Sequence, residues 1–232
     1  ITDGEQRSTL AVVRSLGAVG HVLFVTAVAK GSIAGASRFA HAEHVVPASL
    51  LNPGRFSEEI QALVAANDID TIIPMTESAL LAILPERDRF PGVLIPFADP
   101  ETFKAISDKQ AVLNAARRVG IAVPAQLVIE SAEGMDTLQT SAIEFPVVVK
   151  PARSVSTGTG DRLKLSAEHA ASKSELRSTV AATDPRAYPL LVQQRVVGAG
   201  VGIFVLIWDG ELIAQFALRR IREKPPAGGV SV

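Results

Sequence analysis

Phe145-Pro146-Val147-Val148-Val149-Lys150-Pro151 is the stretch on which the fold turns. Three β-branched residues between two prolines read as a short buried strand. The lysine that closes the run cannot sit unpaired in a core, because a buried charge without a partner costs several kcal/mol. Its ammonium must reach water along its own stem or meet an anion. The next residues favour the anion. Pro151-Ala152-Arg153 leads into Ser154-Val155-Ser156-Thr157-Gly158-Thr159-Gly160, a run of small residues. Such a loop can bring backbone N–H groups and hydroxyls close to phosphate oxygens.

Upstream, helical and strand patterns alternate. Residues 7–16 place Leu10, Val13 and Leu16 at helical spacing, with Gly17 expected as the C-cap. A strand is expected over 22–25. Ser57 is expected to cap a helix with Glu58 and Glu59 in its first turn and Ile60, Leu63 and Val64 on its apolar stripe. Residues 71–74 and 93–96 read as further strands, with a helix over 76–84 between them. Strands separated by helices imply parallel pairing with helices on both faces, a Rossmann-like layer over 1–98.

Two helix starts follow. Asp99-Pro100-Glu101 sets a capping carboxylate before proline, and Ser107-Asp108-Lys109 opens a helix that Gly120 ends. Lys109 in a first turn opposes the helix dipole, a placement that an anion shared with the helix N-terminus would explain. Beyond this the texture is strand-rich: 125–129, 146–150, 162–165, 190–197, 202–208 and 211–217, with one helix near 174–182. Asp209-Gly210 is a strong two-residue hairpin signal. The fold class is thus α/β followed by α+β with antiparallel hairpins.

Composition narrows the function. The net charge of −1 supplies no global field for nucleic acid or an anionic membrane, so any phosphate must be held by local groups. The chain has no cysteine, which excludes disulfides, thiolate metal sites and a cysteine nucleophile. That absence, with no apolar run of transmembrane length and no signal-peptide pattern, fits a cytoplasmic protein. Of the four histidines only His41 and His44 are close, and two ligands alone make no metal site. Neither GxGxxG nor GxxxxGK[ST] occurs, which argues against dinucleotide and P-loop sites. The glycines of Gly198-Ala199-Gly200-Val201-Gly202 read as a sharp link between strands. Arg219-Arg220-Ile221-Arg222-Glu223-Lys224 gathers cations suited to a carboxylate or an acyl phosphate. The first residue is not Met and the last segment is Gly-rich, so a piece of a longer protein is the expectation.

In order, the Asp108-Lys109 helix, Gly120-Ile121-Ala122-Val123-Pro124, the 145–151 strand, the small-residue loop and the strand 191–198 resemble the ATP-grasp superfamily. Their spacing is similar to that of carbamoyl phosphate synthetase large subunits, biotin carboxylases and carboxylate–amine ligases. The resemblance implies a pre-ATP-grasp domain over 1–98 and the front of an ATP-grasp domain over 99–232. Within the latter it implies a lid subdomain over about 123–193 and the start of a C-terminal subdomain over 194–232. It further implies that Lys109 and Lys150 hold ATP phosphates and that the loop with Ser154, Ser156, Thr157 and Gly158 closes over them. Gln193, Gln194 and Val196 would read the adenine edge; Gln194 stands where the family has an acidic residue. Arg219 and Arg220 become the candidate catalytic groups for a substrate acid. ATP and Mg²⁺ are the implied cofactors, with metal ligands beyond residue 232. The implied partners are small-molecule carboxylate and amine substrates, with a homo-oligomer as an open assembly state and neither nucleic acid nor membrane. The rival reading is a non-catalytic nucleotide-binding or regulatory module on the same fold.

Overall fold

The structure is a computed structural model that describes residues 1–137, 143–156, 161–224 and 230–231. The chain divides into two compact units, Ile1–Gln194 and Arg195–Val232.

In the first unit, β1 (Leu23–Ala27) pairs in parallel with β2 (Ala40–Val45). On the other side of β1, Ile1 O accepts from Thr26 N at 3.0 Å, and Thr2 N donates to Ile73 O at 3.1 Å. Thr71 then forms a parallel bridge with Leu94. These bonds order the layer as β2, β1, the N-terminal segment, 71–74 and 93–96. Alternate residues of β1 face different helices, as a period of two requires. Val25 packs with Val13 of α1 (Arg7–Ala18). Phe24 and Thr26 instead line a space with Ile60, Leu63 and Val64 of α2 (Pro53–Ala66). Helices therefore cover both faces, as the alternating pattern implies. Phe56 and Ile60 of α2 also share a core with Ala79, Leu80 and Ile83 of α3 (Glu77–Ile83). Beyond α3 a 3₁₀ helix, Leu84–Arg89, begins with Pro85 in its first turn.

Several local expectations change. Gly17 is not a cap: α1 continues to Ala18, and a Cβ on Gly17 would lie 2.4 Å from Phe39 Cβ, so this glycine admits a close neighbour. The left-handed residue is Gly20 (φ 93°). Ser57 does not cap α2, which starts at Pro53 after Asn52; Ser57 is instead buried inside the helix. Proline's preset φ at the first helical position moves the start upstream. The strands expected at 71–74 and 93–96 reduce to one bridge. β2 was not expected, because Ala-His-Ala-Glu-His-Val looks too polar for a strand.

The caps at Asp99 and Asp108 are as read. The Asp99 side chain accepts from Glu101 N and Thr102 N at the start of α4 (Pro100–Ser107). Asp108 accepts from Gln110 N and Ala111 N at the start of α5 (Lys109–Arg118), and Gly120 follows with φ 78°. Next come β3 (Gln126–Ile129), the short α6 (Gly134–Thr137), β4 (Val147–Pro151), β5 (Glu168–Ala170), α7 (Lys173–Ala182) and β6 (Leu190–Gln194). The strands form one antiparallel sheet in the order β3-β6-β4-β5. Val147, Val149, Leu190 and Val192 turn to the α7 side and pack with Leu176 and Val180. The strand expected at 162–165 is a single bridge, Val155 to Lys164, and the one expected at 190–197 ends at Gln194.

The second unit carries β7 (Val201–Trp208) and β8 (Glu211–Arg219), an antiparallel hairpin. Asp209 (φ 49°) and Gly210 (φ 82°) both adopt the left-handed conformation that a tight two-residue turn of this kind needs. β9 (Glu223–Lys224) pairs antiparallel with β10 (Val230–Ser231).

Leu176 is fully buried between α7 and the sheet. Leu176→Ala should lower the unfolding free energy by about 2–4 kcal/mol, read as a reduced midpoint in urea; a loss below about 1 kcal/mol would mean this core is loosely packed.

Candidate functional site

β4 alternates between two environments. Val147, Val149 and Pro151 are buried on the α7 face, so Val148 and Lys150 point to the opposite face. Cross-strand neighbours on β6 share that face: Lys150 lies opposite Leu191, and Val148 opposite Gln193. The lysine is half-buried there. Its pKa is lowered, first by desolvation and then by repulsion from Lys109.

Lys109 arrives from α5. Its backbone N–H donates to Ala152 O at 2.9 Å. Its ammonium donates to Pro151 O at 3.2 Å, Ala152 O at 3.4 Å and Ser154 Oγ at 3.0 Å. These protein acceptors hold the ammonium of a lysine that stands in a first turn. Burial lowers its pKa as well, opposed by the nearby carboxylates Glu77 and Asp108. Arg153 completes the group with an ion pair to Asp108 at 3.5 Å. Two half-buried ammonium groups that repel each other sit beside the exit of one strand. Such a place favours a polyanion, whose charge would relieve both desolvation and repulsion.

The small-residue loop begins as a hairpin stem. Ser156 N donates to Leu163 O at 2.9 Å, Leu163 N to Ser156 Oγ at 2.8 Å, and Leu165 N to Ser154 O at 2.8 Å. The Ser156 hydroxyl is thus spent inside the stem and buried, whereas Ser154 faces Lys109. Thr157 and Gly158 lie outside the described residues.

At the end of β6, Gln193 Nε2 donates to Gln126 Oε1 at 2.6 Å, and Gln194 N donates to Ala125 O at 2.9 Å. Gln193 is buried and Gln194 half-buried. Val196 belongs to the second unit and is exposed. Arg219 and Arg220 are also in that unit. Arg219 pairs with Val201 in the hairpin, and Arg220 N donates to Gly200 O at 2.7 Å.

Sequence reasoning missed Glu77. Thr76 caps α3, its Oγ1 accepting from Ala79 N, and this sets Glu77 in the first turn. Glu77 is half-buried with its pKa raised, first by desolvation, against the opposing pull of Lys109. A carboxylate after a cap reads from sequence as dipole complement only. Hydroxyls continue along this edge: Ser49 Oγ donates to Ser78 Oγ at 2.9 Å, Ser78 Oγ and Thr76 Oγ1 are 3.1 Å apart, and Thr76 Oγ1 donates to Asp3 Oδ1 at 3.1 Å. Asp3 is left-handed (φ 57°) and also accepts from Thr2 Oγ1. Its pKa is raised mainly by burial. Among the described residues no group of three or more His, Asp or Glu could hold a metal ion, and no helix is long and apolar enough to cross a membrane.

Comparison with solved structures gives the class. Carboxyaminoimidazole ribonucleotide synthase from Aspergillus clavatus, complexed with ATP, superposes with a TM-score of 0.68 at 15% identity, over 96% of this chain and 53% of that one. An ADP complex of N5-carboxyaminoimidazole ribonucleotide synthetase gives 0.66 at 16% identity, over 95% and 53%. The L-amino acid ligase of Bacillus licheniformis gives 0.66 at 13%, over 91% and 47%. The chain has the ATP-grasp fold. It spans about half the length of the solved structures it matches. No protein-family model matches the chain, and no curated protein matches it in sequence.

The Lys150 charge carries a pH signature. Its folded-state pKa lies below the ordinary 10.5, so the unliganded chain bears the cost of that charge at every pH below the folded value. Above 10.5 the lysine is neutral in both states and the cost is gone. Lys150→Met should therefore stabilise the protein at neutral pH, with the gain fading as the pH passes through the folded pKa and beyond 10.5. Denaturant titrations at pH 7 and pH 10.5 test this; no gain at pH 7 would show that the ammonium is fully solvated.

Proposed function

We propose that this chain is the nucleotide-binding front half of an ATP-dependent ligase that activates a carboxylate as an acyl phosphate for attack by an amine. The observation that carries the reading is the pair Lys109 and Lys150, half-buried and mutually repelling at the exit of β4. A triphosphate fits this pair: its negative oxygens would replace the water that both ammonium groups lose on burial. Two of the superposed enzymes are complexes with ADP and with ATP, ligands that belong to those enzymes.

In this reading Lys150 binds phosphate oxygens directly, and Lys109 exchanges its longest hydrogen bond, the one to Ala152 O, for a phosphate oxygen while Ser154 keeps its ammonium oriented. The loop with Ser156, Thr157 and Gly158 lies over the phosphates. The backbone around Gln193, Gln194 and Val196 receives the adenine edge, and the side-chain bond between Gln193 and Gln126 stiffens that strand. The γ-phosphoryl group passes to a carboxylate oxygen of the acid, and ADP leaves with the electron pair of the broken bond. The amine, bound as its cation, first loses a proton; its nitrogen then attacks the acyl carbon, phosphate departs, and a second proton is lost from nitrogen. Asp3 and Glu77, at the carboxyl edge of the parallel layer where such folds bind ligands, would hold a cationic amine in this reading, its charge offsetting the burial of their carboxylates. Arg219 and Arg220 are assigned to the acid or its acyl phosphate. Mg²⁺, when bound, would neutralise developing phosphate charge, and its protein ligands are proposed to follow residue 232. The domain division at 98/99, the lid subdomain over about 123–193, the start of a C-terminal subdomain over 194–232, a cytoplasmic location and a homo-oligomeric state belong to the same reading.

Titration of the full-length protein with ATP or a non-hydrolysable analogue should show saturable binding. Lys150→Ala should weaken it by about 10–100-fold, the worth of one charge-assisted contact. Absence of binding, or an affinity indifferent to Lys150→Ala, would remove the basis for this function. An ADP-release screen with pairs of carboxylic acids and amines should then show turnover only when both are present; release with an acid alone would point to hydrolysis.

A further inference from the structure

Helix α3 ends with an acceptor problem. In an α-helix each carbonyl receives the N–H four residues on, and for Leu81 that residue is Pro85, which has no N–H. The N–H of Leu84 donates to Leu80 O instead. The donor that reaches Leu81 O comes from far along the chain: Arg162 Nη2 lies 3.3 Å from it, and Arg162 Nη1 lies 3.4 Å from Ser78 O. The guanidinium straddles two carbonyls three residues apart on one face of the helix. Its own backbone N–H donates to Leu50 O at 3.0 Å. The arginine is half-buried, with its pKa lowered by desolvation. Leu81 O is among the last carbonyls of α3, where the helix dipole favours a cation, while Ser78 O lies one turn earlier and gives the fork its second hold.

Arg162 stands next to Leu163, the residue that closes the stem on Ser156. The other side of that stem begins at Ser154, which holds the Lys109 ammonium. Lys109 in turn interacts with Glu77, the first residue of α3. Hydrogen bonds thus run from α3 through Arg162 and the hairpin stem to Ser154 and the Lys109 ammonium, which feels the Glu77 carboxylate electrostatically.

We infer that Arg162 is a positioning residue: as the borrowed C-terminal cap of α3, it fixes the small-residue hairpin on the parallel layer and so holds Ser154 against Lys109. It touches no reacting atom in this scheme. The inference rests on the nucleotide reading for its effect on affinity, but not for the anchoring itself.

Amide hydrogen exchange and nucleotide titration on the full-length protein, for Arg162→Ala and Arg162→Lys, test it. In Arg162→Ala the amides of Arg162, Leu163 and Leu165 should exchange about tenfold faster and nucleotide affinity should fall about tenfold, with β6 unchanged. Arg162→Lys, which keeps a charge but not the two-pronged fork, should fall between. The Lys109 ammonium ¹⁵N resonance should shift in Arg162→Ala without any nucleotide present. Unchanged exchange across the hairpin would overturn the anchor. Faster exchange with an unmoved Lys109 resonance would overturn the link to the site. If the parent protein binds no nucleotide, the proposed function fails, while exchange and the Lys109 resonance still decide the role of Arg162.

Discussion

The Lys109 ammonium on the exit of β4 is the contact on which the site depends. One side chain from a helix N-terminus reaches the carbonyls of Pro151 and Ala152 and the hydroxyl of Ser154. It thereby joins α5 to the strand that presents Lys150 and to the stem of the small-residue hairpin. Hydrogen bonds from a charged donor are worth roughly twice those between neutral groups, and three acceptors on one ammonium leave it little freedom. The second charge follows from the first. Lys150 projects from the same strand on the face turned away from α7, where its neighbour is another cation rather than a carboxylate. A protein that keeps two such groups half-dry bears a standing electrostatic cost, which a polyanion bound as proposed would offset.

Each partner in this arrangement is rigid for its own reason. β4 is an interior strand of its sheet, flanked by β6 and β5. α5 is fixed at its start by the Asp108 cap, and Asp108 also takes the Arg153 guanidinium. The hairpin stem is closed from both sides by Ser156 and Leu163. Ligand contacts made from such elements keep their geometry when the ligand leaves, so little ordering entropy is lost when it returns.

What could be read from sequence divides by range. Features set by adjacent residues were legible: the Asp99 and Asp108 caps, the Asp209-Gly210 turn, and the β4 strand with its terminal lysine. Features set by distant neighbours were not. Gly17 looked like a helix end because Phe39, which needs its missing side chain, is remote in sequence. Ser57 looked like a cap because nothing local shows that Pro53 has already started the helix. β2 carries alternating polar residues that suit a half-buried strand with one parallel neighbour. In the site, the lysines and serines were legible by type, but the use of the Ser156 hydroxyl inside the stem was not. Glu77 and Arg162 were silent because their significance lies in Lys109 and Leu81, each far along the chain.

The alternation of β4 has a consequence for folding itself. Shifting a strand by one residue exchanges its two faces. Here it would drive the Lys150 ammonium in among Leu176 and Val180 and turn Val149 out. The slipped pairing would carry a charge into an apolar core, a cost of several kcal/mol. Lys150 therefore discriminates between the right pairing of β4 with β6 and its nearest wrong one, whatever the lysine does once the chain is folded.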